Sequence, residues 1–412
     1  MTPKHAITVG IVSNLGFSAN PCSLVVMTQP KDIALAFPRG GHLELLIEGV
    51  LSYADEKQLN WCYITALESH VISVLELANW PGHGILAAIN TEEEAACAKS
   101  LKVPIVNISS ALPDLPVPSC IIDNHAMGVL AADHLISKGF RSFAYYGLKD
   151  VEYSRQRQAG FVDKLKTGEF TADEFLAYPT YAHEASDWIS QNHELAQWLV
   201  DLPKPLGIFA VSDYRARQIL DACRNSGLRV PEEVAILGTG NEDLVCGHVV
   251  PTLTSVARNN FLQGYRTAEL LDKLMRGEPV QGDPLPIPPL EIVERDSTRT
   301  FAVSDSRLRD ALEYLHENMH EPLFSIDDIT RQASVSRRWL EYAFRDALGE
   351  TPYQYLRRQR LARARRLLVE EPKTKIYKIA QCSGFSSAKQ LAMTFQQDFG
   401  MSPREYRRIS KS

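Results

Sequence analysis

Long apolar runs are missing from this chain of 412 residues. None approaches the roughly eighteen residues that a membrane-spanning helix needs, so no membrane contact is expected and the expected setting is the cytoplasm. Cysteine is sparse: the seven present are scattered, odd in number and without the short paired spacings of metal ligands. They read as reduced thiols, which leaves out a disulfide framework and a structural zinc. Catalytic signatures are also missing. There is no Walker-type phosphate loop, no G-x-S-x-G elbow and no HExxH helix, and Gly82-His83-Gly84 is too short to carry meaning. No cofactor, no metal and no enzymatic role is expected. An α/β enzyme tethered to DNA stays as a rival, because doubly wound folds do host catalysis.

Net charge is modest at -6, but it is divided unevenly. Residues 301–412 carry 20 Lys+Arg against 14 Asp+Glu, hence +6, and the remaining 24 and 36 give -12 to residues 1–300. A basic C-terminal part on an acidic body suits local phosphate contact without general stickiness. The length suggests about two or three domains, and a hydrophobic content of 45% supports full cores.

The stretch from Ser325 to Tyr406 carries the clearest pattern. Two units, Ser325 to Gly349 and Lys375 to Pro403, each read as a short helix, a tight turn and a second helix opened by serine. In the first, Ile326, Ile329 and Ala333 mark the inner face of the short helix, Val335 the turn, and Ser336 the N-cap. In the second, Ile376, Ile379 and Ala380, then Gly384, then Ser387 repeat the roles. Serine at that position accepts a hydrogen bond from an unpaired amide of the first turn. Leu340 and Phe344 match Leu391 and Phe395 at i, i+4 spacing, and the two serines lie 51 residues apart, so one helix-turn-helix unit is duplicated. Between the units, Pro352–Leu368 reads as a helix of roughly 25 Å. It could hold two recognition helices about one DNA turn apart. Its six arginines (357, 358, 360, 363, 365 and 366) are open between a solvated face and phosphate contact.

Upstream, strands and helices alternate from Asp32. Ile33–Phe37, Trp61–Thr65, Gly84–Ile89, Pro104–Ile108 and Cys120–Ile122 read as strands, with an apolar helical face at Leu43, Leu46, Ile47, Val50 and Leu51. A second series has helices at His125–Ser137, Ser154–Lys166, Arg215–Ser226 and Gln263–Arg276. Its strands are Phe143–Tyr146, Ile208–Val211, Val234–Leu237 and Leu290–Glu294. Short buried runs separated by amphipathic helices argue parallel α/β layers, here two halves of about 130 residues forming a clamshell with a ligand cleft. Residues 1–30 keep no period and make a poor secretory signal. Met27 stands before the first convincing strand, so 1–26 is expected to be a disordered arm or to precede the functional start.

The C-terminal run Arg360-Leu361, Leu367-Leu368, Ile379-Ala380, Gly384-Phe385, Leu391, Phe395, Phe399-Gly400, Ser402-Pro403 and Tyr406 resembles the DNA-binding domain of AraC/XylS-type transcription regulators. Asp123-Asn124, Gly128, Ala131-Ala132, His134-Leu135-Ile136, Gly139, Tyr145-Tyr146-Gly147, Arg157 to Phe161, Ser212-Asp213 with Ala216, Val234 to Gly238, and Pro251, Leu253-Thr254 with Gly264 resemble LacI-type sugar-sensing domains of the periplasmic-binding-protein fold. That order of domains is similar to the bacterial xylose operon regulators. The resemblance implies a two-lobed α/β sensor at 31–298, a linker at 299–304 and an all-α domain with two helix-turn-helix units at 305–412. It further implies operator DNA, a sugar effector such as D-xylose, a homodimer and RNA polymerase as partners.

By motif, Arg157 matches the sugar-binding arginine, with a surface arginine as the plain alternative. Ser212 and Asp213 lie at a strand end where the second lobe reads ligand, and Asp213 is open between ligand contact and helix N-cap. Asn241 follows the next strand, Asp123 suits the hinge, and Arg39 and His42 line the first-lobe wall. Where the pattern has a sugar-gripping aspartate, this chain has Gly240, so Asn241 or Glu242 substitutes or the ligand differs. On the DNA side Arg337, Arg338, Glu341, Tyr342 and Arg345 turn outward, and Ala388, Lys389, Ala392 and Met393 match them in the second unit. The first set can fork guanine and accept from cytosine; the second favours thymine methyl contact and weaker discrimination. An architectural DNA binder with a vestigial cleft stays as a further rival.

Overall fold

The computed structural model describes residues 29–37, 43–65, 71–178, 188–280, 284–303, 305–371 and 373–411. The expected N-terminal arm lies almost wholly outside them. The first lobe is built on a parallel sheet of β1 (Lys31–Ala36), β2 (Trp61–Ile64), β3 (Gly84–Ala87) and β4 (Ile105–Asn107), in the order β2-β1-β3-β4. Helices α1 (Leu43–Glu56) and α2 (Glu92–Ser100) connect it, and β5 (Cys120–Ile122) leads out of it. The second lobe begins with α3 (Asn124–Ser137), β6 (Ser142–Leu148), α4 (Glu152–Lys166), β7 (Ala172–Ala177), α5 (Trp188–Asp201) and β8 (Leu206–Ala210). It continues through α6 (Asp213–Asn225), β9 (Val234–Gly240), α7 (Asp243–Cys246) and β10 (Thr254–Ala257). The chain then crosses back: α8 (Asn260–Met275) packs on α1 and β11 (Leu285–Ile287) pairs with β5. A last crossing brings β12 (Ile292–Val293) to the second sheet, antiparallel to β10.

Three crossings between the lobes correct the expectation of two halves in simple succession. The helix read at Gln263–Arg276 belongs to the first lobe, not to the second series, because its apolar face fits the groove beside α1. Periodicity reveals a helix and its inner face but not which sheet that face covers. Strands β7, β10 and β11 and helix α5 have weak or interrupted patterns and were not expected; β7 is an edge strand with three exposed residues.

Each lobe is closed by a helix pair in near backbone contact. A Cβ on Gly128 of α3 would lie 2.0 Å from the Arg157 carbonyl oxygen, and one on Gly160 of α4 would lie 1.9 Å from that of His125. The α1–α8 crossing repeats this with Gly49 and Gly264. Only glycine allows such approach, and the gain is dense packing of the flanking apolar residues.

The C-terminal domain contains α9 (Ser306–Asn318), α10 (Ile326–Gln332), α11 (Arg337–Leu348), α12 (Pro352–Glu370), α13 (Ile376–Cys382), α14 (Ala388–Phe399) and α15 (Pro403–Lys411). Two small cores lie at the ends of α12. Tyr355 and Leu356 enter the first with Ile329, Leu340 and Phe344; Leu361, Ala364 and Leu368 enter the second with Ile379, Leu391 and Phe395. Phe301 and Val303, expected as linker, are buried in the first of these cores. The Ala302 amide donates to the Lys138 carbonyl at 2.8 Å. The connection is therefore docked along the sensor rather than a free tether.

That junction is charged and half dry. Lys138 is 3% exposed, pairs with Glu294 at 2.6 Å and sits over the Phe301 ring. His134 meets the Thr298 hydroxyl at 3.0 Å, and His316 meets the Tyr355 hydroxyl at 2.8 Å. Burial pushes His134 down to about 4, with Lys138 and Arg358 acting the same way and Glu294 and Asp133 opposing. Burial pushes His316 down to about 3, helped by Lys138, His134 and Arg358 against Glu294. For Glu294, burial alone would raise the value, but Lys138 and the two histidines hold it at about 2. Among the described residues no helix is long and apolar enough to cross a membrane, six cysteines are free, and no cluster of His, Cys, Asp and Glu is placed to hold a metal ion.

Two outcomes are expected. Gly160→Ala should lower stability by about 1–3 kcal/mol through overpacking against the His125 carbonyl, read as a drop in urea midpoint with the m-value unchanged. Both junction histidines are neutral in the fold, whereas in the unfolded chain they bind protons from pH ~6.5 downward. Stability is therefore complete above that pH and falls as pH drops toward 4, by up to about 1.4 kcal/mol per pH unit for each histidine. Urea titrations from pH 7 to 4.5 should record the slope, and His316→Gln should flatten it.

Candidate ligand cleft and DNA-reading face

The carboxyl ends of both parallel sheets face the gap between the lobes, the place where open α/β sheets hold ligands. On the second-lobe side the floor is built around Arg157. It projects from α4, is 3% exposed, and lies over the Tyr153 ring at 5.1 Å. Its Nε donates to Asn124 Oδ1 at 2.9 Å and its Nη1 to the Val211 carbonyl at the end of β8. The plain alternative of a surface arginine is thus overturned. Burial brings its pKa down to about 9, and the neighbouring Arg258 pushes the same way.

Asp213 is fully buried. Ser212, not Asp213, caps α6, its hydroxyl accepting from the Arg215 amide at 3.3 Å. The Asp213 carboxylate accepts from the Ser255 hydroxyl at 2.6 Å and from the Glu242 amide at 2.8 Å. It ties α6, β10 and the turn after β9 together, and burial raises its pKa despite those bonds. Both its oxygens are engaged within the lobe, so its place is beneath the cleft floor. Ser212 has its hydroxyl engaged as a cap.

Asn241 sits at φ +59, and its side-chain oxygen accepts from Arg295 Nη2 at 2.9 Å. Its carboxamide is therefore anchored to the strand leading toward the C-terminal domain. Gly240 has φ +127 and a Cβ there would approach Asp213 Oδ2 at 3.2 Å. An aspartate at 240 would be strained and would set a second carboxylate on the first. Glu242 is half-buried. Arg39 and His42 lie outside the described residues. Asp123 stands at the first crossing, capping α3 by accepting from the Ala126 amide at 2.9 Å.

Arg258, which the sequence reading missed, completes the floor. It follows β10 directly, and its buried Nε has no hydrogen-bond partner among the described residues. Burial lowers its pKa, while Asp213, Glu242 and Tyr153 oppose. On the first-lobe wall, Asn90 after β3 and Ser109 after β4 are joined at 2.7 Å. The signal that could have exposed all three is position, since each follows the end of a parallel strand. For Arg258, the weak pattern of β10 hid that end.

The C-terminal domain presents two capped helices. Ser336 accepts from the Trp339 amide at 3.1 Å and Ser387 from the Gln390 amide at 3.2 Å. Leu340, Phe344, Leu391 and Phe395 are fully buried, which turns the opposite faces outward as expected. Arg337, Arg338, Tyr342 and Arg345 are exposed and Glu341 is half-buried. Arg338 lies over the Tyr342 ring at 5.6 Å, and Arg337 lies between Asp327 and Glu341 at 3.5 and 3.6 Å. In the second helix Lys389 and Met393 are exposed, and Ala388 and Ala392 half-buried.

The arginines of α12 are largely engaged inside the domain, so a plain solvated face does not describe them. Arg360 donates to the carbonyls of Met319, Glu321 and Phe324. Arg363 donates to Cys382, Arg357 pairs with Asp398, and Arg358 pairs with Glu350. Arg365 lies over Phe399 and Tyr406, and all six are half-buried. They join the two helix-turn-helix units to the helix between them.

Comparison with known proteins agrees with both halves. Residues 132–298 match a periplasmic binding protein-like domain and residues 329–409 a helix-turn-helix domain. The xylose operon regulatory protein of Haemophilus influenzae is 28% identical over 377 residues, covering 88% of this chain and 94% of its own. That of Escherichia coli K12 is 28% identical over 372 residues, covering 89% and 93%. A structure of the xylose-binding transcription activator xylR covers 93% of this chain and 99% of its own, at 27% identity and a TM-score of 0.60. The chain is thus a transcription regulator that joins a periplasmic binding protein-like sensor domain to a helix-turn-helix domain, and over most of its length it is similar to the xylose operon regulatory proteins.

Proposed function

We propose that this regulator senses D-xylose or a closely related sugar in the cleft between its lobes and activates carbohydrate-use genes. The carrying observation is Arg258. Its buried Nε lies beside Arg157 and has no hydrogen-bond partner among the described residues; it offers a donor to a sugar oxygen, and a charged donor taken out of water is costly to leave unmatched. That favours a working cleft over a vestigial one. The first-lobe wall supplies Asn90 and Ser109, and the second-lobe floor Arg157, Arg258 and Glu242. Ser212, Asp213 and Asn241 act beneath them as supports. In this reading the sensor runs from 31 to 298 and the reader from 305 to 412.

Ligand that prefers one setting of the lobes shifts the population toward it, and the docked 299–303 segment hands that change to the DNA domain. A homodimer would place two readers on repeated half-sites, multiplying a modest single-domain affinity. RNA polymerase is the partner an activator requires, and DNA reading puts the protein in the cytoplasm. The unequal faces of α11 and α14 assign sequence discrimination mainly to Arg338, Glu341 and Tyr342, with Arg337 and Arg345 beside them. Ala388, Lys389, Ala392 and Met393 give a smaller, more apolar contact.

A thermal-shift panel of pentoses, hexoses and sugar phosphates tests the sensor. At 100 times its dissociation constant a true effector stabilises by about 2.7 kcal/mol; D-xylose should do so, and Arg258→Gln should weaken it. Silence across the panel would sink the sugar assignment. On the DNA side, Arg338→Ala should cost about 1–3 kcal/mol at one base pair, measured against a set of single-position operator variants. An equal loss on every sequence would refute base reading by Arg338.

A further inference from the structure

Helix α3 has one end in the cleft and the other against the DNA domain. At its start Asn124, 2% exposed, receives the Arg157 guanidinium. At its end lie Lys138, bonded to Glu294, and Gly139 at φ +83, where a Cβ would come within 2.9 Å of Val303 Cγ1. Fourteen residues make this a rod of roughly 21 Å, braced along its length by the close contact with α4. Three residues past its cap, Lys138, Arg141 reaches into the C-terminal domain. Its Nη2 donates to the carbonyls of Asp346 at 3.0 Å and Ala347 at 2.5 Å, while its guanidinium lies over the Phe170 ring at 5.1 Å.

Those two carbonyls belong to the last turn of α11, the first recognition helix. Carbonyls there lack partners within the helix and carry the negative end of its dipole. A guanidinium is well matched to them, forming charge-assisted bonds to two acceptors at once. The contact is also mechanically placed. Two openings of about 900 and 570 Å³ flank the Lys138 contact. The first is lined by Arg141, Phe301, Arg309 and Asp346, the second by His134, Glu294, Arg358 and Phe399. The two openings thus border the contact between the domains on either side.

We propose that Arg141 is a positioning residue for DNA reading: from the sensor side it holds the end of the first recognition helix, and α3 carries the setting of the ligand cleft to it. The carry-over through α3 rests on the sensor reading given above. The hold on α11 does not, since it stands on the Arg141 geometry alone.

The test is amide hydrogen exchange on the full chain, wild type, Arg141→Ala and Arg141→Lys, with and without D-xylose. It is paired with binding to a duplex selected by the wild-type chain from a random pool. Without sugar, Arg141→Ala should speed exchange at residues 346–350 about tenfold, a local opening, with exchange in β6, β8 and β9 unchanged. It should also change affinity for the selected duplex at least about fivefold, with affinity for a scrambled duplex unchanged. Arg141→Lys, whose single ammonium serves one carbonyl well, should recover part of both effects. Wild-type exchange at 346–350 together with unchanged duplex selectivity in Arg141→Ala would overturn the proposal. With D-xylose, protection of peptides 206–213 and 254–258 should alter exchange at 346–350 in the wild type and not in Arg141→Ala. Protection of the cleft with no response at 346–350 in the wild type would overturn the coupling through α3. Absence of protection in the cleft would count against the effector assignment, and the sugar-free comparison would still decide the role of Arg141.

Discussion

A guanidinium ending on the backbone carbonyl of another element is the joint on which this protein depends. Arg157 closes on Val211 and fixes α4 against β8. Arg295 closes on Leu253 and also holds Asn241, fixing the strand after the last crossing. Arg309 closes on Val303 at the start of the C-terminal domain, and Arg360 and Arg363 join α12 to the segments before and after it. Carbonyls at strand and helix ends are already exposed acceptors, and an arginine brings several donors in one rigid plane. Each joint therefore satisfies two groups that burial would otherwise penalise, and it ties one element to the next or to one distant in sequence.

The cleft shows how such joints divide labour. Asp213 and Asn241 look like ligand residues because they are polar and follow strands. Both are engaged by their own lobe, Asp213 by Ser255 and the Glu242 amide, Asn241 by Arg295. Their work is to hold the strand ends rigid, which is what a binding site needs from the residues beneath it. Arg258 differs from them, because its buried Nε is unmatched within the described residues. Gly240 belongs to the same arrangement: beside the Asp213 carboxylate, a side chain there has neither the backbone conformation nor the room it would need.

The DNA domain is a duplication whose copies keep their inner apolar positions and differ on the outer face of the second helix. The inner positions, Leu340 and Phe344 against Leu391 and Phe395, remain equivalent because each must fill one end of the core around α12. The outer positions are free of that constraint. Arginine, glutamate and tyrosine stand on one helix, alanine, lysine and methionine on the other.

Much of this was legible in the chain itself. The duplicated units, their serine caps, the inward pairs and the alternating strands and helices all follow from local rules, whereas Arg157 was marked by resemblance to a motif and its burial was not foreseen. Those rules are a cap satisfying an amide, a period setting a face, a small residue permitting a close approach. Long-range matters were not legible. That α8 returns to the first lobe, that residues 299–303 dock instead of tethering, that α12 arginines reach carbonyls and carboxylates of other segments, and that the buried Arg258 nitrogen finds no partner among the described residues all depend on how distant segments come together. The sequence by itself determined which elements form and which faces are apolar, because those are set by neighbours within a few positions. Only the tertiary structure decided which polar groups are consumed inside the fold and which are left for a ligand or DNA, because a hydrogen bond between distant segments exists only once the chain has brought them together.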